Sequence, residues 1–277
     1  MLRSRASSPL MPPLSEIAAI ILAAGLSSRF EAGPEETKLV VPLFDKPLVR
    51  HVAEAALASR ARPILVVTGH ATAQVEAALK NRDLSFISNP DYRTGLASSL
   101  KTGIAALPET AAGALILLAD MPCVSVSLID RLIQAFEESA RAPLAVVPVR
   151  AGLRGNPALI GRDLFDAIKR LEGDRGARAL LEAAGKDVLE CSVYDEAIEI
   201  DIDTTEALRH LRASRAEPGG PVSNVDASMP SMPFVRLDRG GPAWSFQQGN
   251  GGQADDQPNK AALSSRAACD GVIGRHL

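Results

Sequence analysis

A glycine, two serines and two basic residues follow the first long apolar run of this sequence. The run 17–23 is typical of a strand buried on both faces, and the segment 24–29 after it is Ala-Gly-Leu-Ser-Ser-Arg, with Lys38 nine positions further on. Small side chains let backbone N–H groups approach a ligand closely, and Gly25 can adopt a positive φ that aims them. This combination suits an anionic polyphosphate. An ordinary strand-to-helix turn that carries an arginine is the alternative.

The loop matches neither of the two better-known phosphate-binding motifs. Gly25 is followed by Leu-Ser-Ser-Arg-Phe, which is not the Gly-x-x-x-x-Gly-Lys-Ser/Thr of P-loop NTPases. It also lacks the companion glycines of Gly-x-Gly-x-x-Gly. The sequence therefore predicts neither a P-loop NTPase nor a dinucleotide-dependent dehydrogenase.

Carboxylates follow two later apolar segments. Asp120 ends the run 114–119, where the carboxyl edge of an α/β sheet binds ligands. Asp201 and Asp203 alternate, so on a strand both would lie on one side, where a cation relieves their repulsion. Mg²⁺ takes few protein carboxylates and shares its shell with phosphates and water. These residues predict a magnesium site, with Asp201 and Asp203 both open as ligands; a turn or capping aspartate is the alternative for Asp120.

Three further polar loops could contact ligands. The segment 89–103 is a glycine-containing loop that brings Ser98 and Ser99 to a helix start, where they could bind a base or ribose. Helix N-capping is the alternative for at least one of these serines. The segments 154–157 and 173–178 are glycine-flanked polar turns.

These motifs, in this order, resemble those of the molybdenum cofactor cytidylyltransferase-like nucleotidyltransferases, which are related to the molybdenum cofactor guanylyltransferases. The resemblance covers residues 17 to about 210. Its main motifs here are Leu22-Ala23-Ala24-Gly25-Leu26-Ser27-Ser28-Arg29, Lys38-Leu39, Leu118-Ala119-Asp120-Met121-Pro122 and Asp201-Ile202-Asp203-Thr204. This chain departs from the family in a longer, glutamate-containing gap before Lys38. It also has Thr205 and Ala207 where the family has proline and an acid.

The resemblance implies a role for each motif. The opening loop (Leu22, Ala23, Ala24, Gly25, Ser27 and Ser28) would wrap an NTP triphosphate, with Arg29 and Lys38 on the phosphates. The metal ligands would be Asp120 and an aspartate of the Asp201/Asp203 pair. Nucleoside contacts would come from Gly95 and Ser99, and acceptor contacts from Asn156, Asp174 and Arg178.

The reaction implied by the resemblance is Mg²⁺-dependent transfer of CMP from CTP to molybdopterin with release of pyrophosphate. A molybdenum hydroxylase would be a partner that receives the product. The sequence Leu-Ala-Ala-Gly in this motif favours CTP, because the guanylyltransferase relatives usually have Leu-Ala-Gly-Gly. Two alternatives remain: a nucleotidyltransferase that uses GTP or ATP or a sugar or polyol phosphate acceptor, and a non-catalytic chaperone that binds the molybdenum cofactor.

Alternating strand and helix patterns predict a doubly wound α/β fold with a mostly parallel sheet. By the resemblance it is of the Rossmann-like, nucleotide-diphospho-sugar transferase type. Residues 1–15 are predicted to be a disordered leader, 16–213 the nucleotidyltransferase domain and 214–277 a disordered, low-complexity tail. The pattern places the last strand near 198–202. A last helix follows at 204–212, which Asp203 or Thr204 would cap.

Composition limits the classes of partner. With 46% hydrophobic residues and a net charge of −3, we expect a folded protein without the basic field of a nucleic-acid-binding protein. Three cysteines without a Cys-x-x-Cys motif suit a reducing compartment. No apolar run approaches the roughly 18 residues of a membrane span. The prediction is a cytoplasmic protein without nucleic-acid or membrane partners.

Overall fold

The computed structural model describes residues 16–27, 30, 37–173 and 176–216; residues 215 and 216 are described as backbone only. The predicted leader and residues 217–277 of the predicted tail lie outside the described residues. So do three predicted site residues, Ser28, Arg29 and Asp174.

An eight-stranded sheet forms the centre of the protein. Its strands are β1 (Glu16–Ala23), β4 (Ile64–Thr68), β5 (Ser85–Ser88), β6 (Ala111–Leu118), β7 (Ala145–Arg150), β8 (Leu153–Arg154), β9 (Ala158–Gly161) and β10 (Val188–Ser192). The order is β10-β7-β9-β6-β1-β4-β5, with β8 paired to β7. Pairing is parallel from β6 through β1 and β4 to β5 and between β10 and β7, whereas β9 is antiparallel to both of its neighbours. A separate small hairpin joins β2 (Pro42–Leu43) and β3 (Lys46–Pro47).

Two groups of helices pack on this sheet. The helices are α1 (Leu48–Ala58), α2 (Thr72–Ala78), α3 (Leu96–Ala105), α4 (Val126–Glu138), α5 (Phe165–Lys169), α6 (Arg178–Ala184) and α7 (Thr205–Ala216). One group contains α1 and α4, which contact each other, and the other contains α3 and α5. The predicted doubly wound α/β fold is confirmed. Among the described residues, no helix is long and apolar enough to span a membrane.

Strand β1 is central because its side chains are apolar on both faces. Residues 17–23 are all buried, between β4 on one edge and β6 on the other. A strand without a polar face is stable only where helices cover both sides of the sheet. The polar loop that follows β1 is therefore held at the carboxyl edge of the sheet by a rigid support.

The structure corrects three local predictions. No strand forms at 198–202: Glu196–Ile198 is a short 3₁₀ helix, and the chain beyond it approaches β6, where the Ile202 N–H donates to the Asp120 carbonyl at 2.9 Å. Gly25 does not take a positive φ; the residue of the loop that takes the left-handed conformation is Ser27 (φ 54°). Helix α7 continues beyond the predicted end at 212. Its cap is Thr204, whose Oγ1 accepts from the Ala207 N–H at 3.1 Å.

Candidate active site

A cavity of about 450 Å³ opens at the carboxyl ends of β1 and β6. These strands are neighbours, and the chain beyond β6 stays with β1 through a 3.2 Å hydrogen bond from the Ala119 N–H to the Leu22 carbonyl. The predicted site residues that line the cavity are Leu22, Ala24, Gly25, Ser27, Lys38, Gly95, Ser99, Asp120 and Asp203. The fold thus brings together residues from five separate parts of the sequence.

Lys38 bridges two carboxylates in this cavity. Its Nζ lies 2.8 Å from Oδ2 of Asp120 and 2.6 Å from Oδ1 of Asp203. The exposed fractions of the three side chains are only 10%, 17% and 12%. Burial by itself lowers the pKa of Lys38, but the charge and hydrogen bonds of Asp120, together with those of Asp203, outweigh it and raise the pKa above its ordinary value. Lys38 is therefore a charged ammonium between two carboxylates.

The loop after β1 holds Lys38 in place. Ser27 Oγ accepts a hydrogen bond from the Lys38 N–H at 3.2 Å and lies 3.2 Å from Thr37 Oγ1. Thr37 in turn caps the 3₁₀ helix Lys38–Val40 by accepting from the Leu39 N–H. Thr37 and Lys38 are therefore both bound to the loop through the Ser27 hydroxyl, and Lys38 reaches the predicted site.

The two aspartates near the C-terminal end of the domain have different positions. Asp203 lines the cavity and contacts Lys38, whereas Asp201 is buried and does not line the cavity. The prediction that both carboxylates lie on one side of a strand fails because 201–203 is not a strand. The backbone bond of Ile202 to Asp120 brings Asp203 beside Asp120.

Another part of the cavity wall comes from the segment between β5 and α3 and from the start of α3. Gly95 and Ser99 line it as predicted, joined by Leu96 and by the 3₁₀ helix Tyr92–Thr94, which the sequence reasoning did not assign to the site. Helix α3 begins at Leu96 without a side-chain cap, so neither Ser98 nor Ser99 is an N-cap residue. For Tyr92–Thr94 and Leu96, the only signal in the sequence was their place within the polar segment 89–103.

Of the predicted acceptor residues, the structure describes Asn156 and Arg178, and neither lines this cavity. Arg178 is exposed at the start of α6, and its Nε donates to Glu182 at 3.0 Å. Asn156 precedes β9, and its backbone N–H donates to the Ile198 carbonyl. Ala23 is also buried within β1 and does not line the cavity. The acceptor roles of Asn156, Asp174 and Arg178 stay predictions.

The donor set at Lys38 fits a hard divalent cation. Among the described residues, no group of three or more His, Cys, Asp or Glu side chains could hold a metal ion. Asp120 and Asp203 nevertheless already converge on one cationic nitrogen. Two carboxylates suffice for Mg²⁺ or Mn²⁺ when substrate phosphates and water complete the shell. The open space beside Gly25, where an added Cβ would meet no atom of the described residues within 4 Å, leaves room for such phosphates.

Comparison with known proteins identifies the family. The MobA-like NTP transferase domain matches residues 19–188. The chain is 31% identical over 202 residues to nicotine blue oxidoreductase of Paenarthrobacter nicotinovorans, covering 70% of this chain and 96% of that protein. It is 28% identical over 193 residues to the molybdenum cofactor cytidylyltransferase of Escherichia coli K12, covering 69% and 93%. It spans only about a third of the bifunctional GlmU proteins that it also matches.

A solved structure has the same fold. Rv0371c from Mycobacterium tuberculosis H37Rv superposes with a TM-score of 0.65 at 26% identity, covering 73% of this chain and all of that one, and a second structure of Rv0371c is a complex with manganese. The predicted family and enzyme class are confirmed. The chain belongs to the MobA-like NTP transferase family and is a nucleotidyltransferase.

Proposed function

We propose that this enzyme transfers CMP from CTP to molybdopterin and releases pyrophosphate, with Mg²⁺ as cofactor. The observation that carries the proposal is the convergence of Asp120 and Asp203 on the Lys38 ammonium, beside the loop that follows β1. The similarity to the Escherichia coli cytidylyltransferase over 93% of its length supports the choice of nucleotide and acceptor. That choice is an argument from family analogy, since a fold does not determine a substrate.

The chemistry requires the enzyme to bring two anions together. A phosphate oxygen of the acceptor attacks the α-phosphorus of the NTP, its bond to that phosphorus forms, and the bond to the pyrophosphate oxygen breaks. The acceptor phosphate is already a nucleophile, so no strong general base is needed. Catalysis then rests on positioning and on charge placed before the reaction.

The residues of the cavity divide this work between them. Asp120 and Asp203 would hold a divalent cation, which when bound supplies positive charge to the phosphate oxygens. Lys38 keeps the two carboxylates together before substrate arrives, and its charge is available to the phosphates of an NTP in the cavity. One contact between opposite charges at 4 Å is worth roughly 4 kcal/mol at an effective dielectric constant near 20. Gly25 leaves space for the triphosphate, and Ser27 provides hydrogen-bonding groups for it.

The test is pyrophosphate release with molybdenum-loaded molybdopterin and each of the four NTPs, with and without Mg²⁺. We expect release with CTP and not without metal. Release with GTP or ATP only, or with a sugar or polyol phosphate, would point to the other nucleotidyltransferases. Tight pterin binding without any pyrophosphate would point to a non-catalytic cofactor chaperone.

Aspartate variants test the metal site in the same assay. Asp120→Ala and Asp203→Asn should abolish turnover while the far-UV circular dichroism stays that of the wild type. Asp201→Asn is the matched control, because Asp201 is a neighbouring acid that does not line the cavity. A D201N enzyme without turnover and a D203N enzyme with normal turnover would reverse the assignment.

An oxidoreductase activity is a second candidate, because nicotine blue oxidoreductase is a relative at 31% identity over nearly its whole length. Incubation with nicotine blue and NADH or NADPH tests it by the loss of dye colour. Reduction of the dye without pyrophosphate release from any NTP would replace the transferase proposal.

A further inference from the structure

Asn89 joins the wall of the cavity to the sheet. It follows β5 and is 1% exposed, and its backbone N–H donates to the Thr68 carbonyl of β4 at 2.8 Å. Its side chain contacts three groups: Oδ1 lies 3.0 Å from the Asp91 backbone nitrogen, and Nδ2 lies 2.9 Å from Ser98 Oγ and 3.0 Å from Ser99 Oγ. Both the NH₂ group and the oxygen of this amide thus have partners within the protein.

The direction of these hydrogen bonds follows from one of the three. The Asp91 backbone N–H can only donate, so the amide oxygen of Asn89 must face it. The NH₂ group then faces the two serines, and each hydroxyl oxygen must accept one of its hydrogens. The orientation is therefore independent of the usual ambiguity between amide oxygen and nitrogen.

The two serines use their own hydrogens differently. Ser98 Oγ donates to the Gly95 carbonyl at 2.8 Å, so its hydroxyl both accepts and donates within the protein. Ser99 accepts from Asn89 and lines the cavity, and its hydroxyl donates to none of the described residues. A hydroxyl that accepts from one side directs its hydrogen elsewhere. Because the Ser99 hydrogen cannot point at the Asn89 NH₂ group, it is available as a donor to the cavity.

We propose that Asn89 is a positioning residue that makes Ser99 a hydrogen-bond donor to an acceptor oxygen of the bound nucleotide. The proposal rests on the proposed function in requiring that an NTP occupies this cavity. Through Ser98 the same amide also fixes the Gly95 carbonyl, and Gly95 holds a φ of 109° that favours glycine. Asn89 thereby sets the position of the cavity wall at Gly95 and Ser99, and the direction of the Ser99 hydrogen, without touching the nucleotide.

Asn89→Asp reverses the direction of these hydrogen bonds with almost no change of shape. A carboxylate only accepts hydrogen bonds, so both serine hydroxyls would have to donate to it, and Ser99 would lose its donor to the nucleotide. We expect N89D and S99A each to raise the KM of the NTP about tenfold, the size expected for one hydrogen bond, with a much smaller change in kcat. The control for the added charge is Asn81→Asp. Asn81 is exposed at a φ of 63° that asparagine and aspartate both tolerate, and N81D should keep the wild-type KM.

The double variant N89D/S99A decides whether Asn89 acts through Ser99. If it does, the KM of the double variant equals that of the worse single variant, because the same hydrogen bond is lost once. Repulsion of the polyphosphate by the new carboxylate, or a general loss of structure, would multiply the two effects to about a hundredfold and overturn the proposal. If N89D does not fold, N89S takes its place in the same cycle, with the same two outcomes.

The wild-type enzyme separates this proposal from the proposed function. Turnover of an NTP by the wild type, with effects of N89D and S99A that multiply, would overturn the role of Asn89 alone. A wild type that neither binds nor turns over any of the four NTPs, by calorimetry and by pyrophosphate release, would overturn both.

Discussion

Replacing Lys38 with methionine tests the charge arrangement of the site. Methionine keeps an unbranched, flexible side chain but removes the ammonium that contacts both Asp120 and Asp203. The two carboxylates would then face each other in a largely buried place. We expect K38M to fold but to unfold at a clearly lower denaturant concentration than the wild type when no divalent cation is present.

The magnitude follows from the distances. Two like charges about 5 Å apart repel by roughly 3 kcal/mol at an effective dielectric constant near 20. Removal of one partner from a buried ion pair costs roughly 3–5 kcal/mol in general. Because the three side chains keep exposed fractions of 10–17%, water relieves part of the repulsion. The free energy of unfolding should therefore fall by about 3 kcal/mol, at the lower end of this range.

The assay is urea unfolding at neutral pH with and without Mn²⁺ or Mg²⁺. The metal should raise the midpoint of K38M more than that of the wild type, because it replaces the missing positive charge between the carboxylates. Adding D203N to K38M should restore part of the stability without metal, because one of the two charges is removed. The control is Lys46→Met: Lys46 pairs with Glu54 at 2.6 Å on a more exposed surface, so K46M should lose at most about 1 kcal/mol and show no special response to metal. A metal-free K38M as stable as the wild type would refute the reasoning.

Two further predictions concern a surface glutamate and two glycines. Hydrogen bonds from Lys46 and Arg82 lower the pKa of Glu54 from 4.5 to about 2, so E54Q should lose about 1 kcal/mol of unfolding free energy at pH 7. That difference should shrink between pH 4.5 and pH 2, and a difference in urea midpoint that is constant over this range would contradict it. Gly25→Ala should leave the melting temperature unchanged but raise the KM of the NTP, because its Cβ would occupy open space of the cavity. Gly103→Ala, whose Cβ would lie 2.6 Å from an isoleucine methyl of β1, should lower the melting temperature instead; a reversed pattern would contradict both assignments.

Predictability from sequence differs between the sheet and the loops for a physical reason. The run 17–23 predicts a central strand because a strand that is buried on both faces is apolar throughout, whichever strands lie beside it. The pattern at 198–202 also has apolar residues, and Ile198 and Ile202 are indeed buried. Among the described residues, however, no strand pairs with 198–202, and this part of the chain forms the end of a 3₁₀ helix, a turn and an irregular connection. Burial is local information, whereas strand pairing depends on distant partners.

The same distinction applies to the site residues. Small and basic residues after β1 and an acid after β6 could be predicted, because the carboxyl ends of parallel strands meet at one edge. The role of Asn89 could not, because it depends on the direction of hydrogen bonds between β5 and α3 that no spacing records. The cavity lining at Tyr92, Arg93 and Thr94 could not be predicted either, because it depends on the path of the chain before Gly95.

The position of Asp203 shows how the protein core determines the site. Lys38 and Asp203 are 165 positions apart in the sequence, yet their side chains are in contact. Its neighbour Ile202 is buried in a cluster with Leu43, Leu48 and Leu208, and donates its backbone N–H to the Asp120 carbonyl. The burial of Ile202 and its backbone bond to Asp120 together hold this part of the chain beside Asp120, where the Asp203 carboxylate reaches Lys38. The second acid of the site is therefore positioned by the packing of an isoleucine, and Asp201, on the other side of Ile202, is buried away from the cavity.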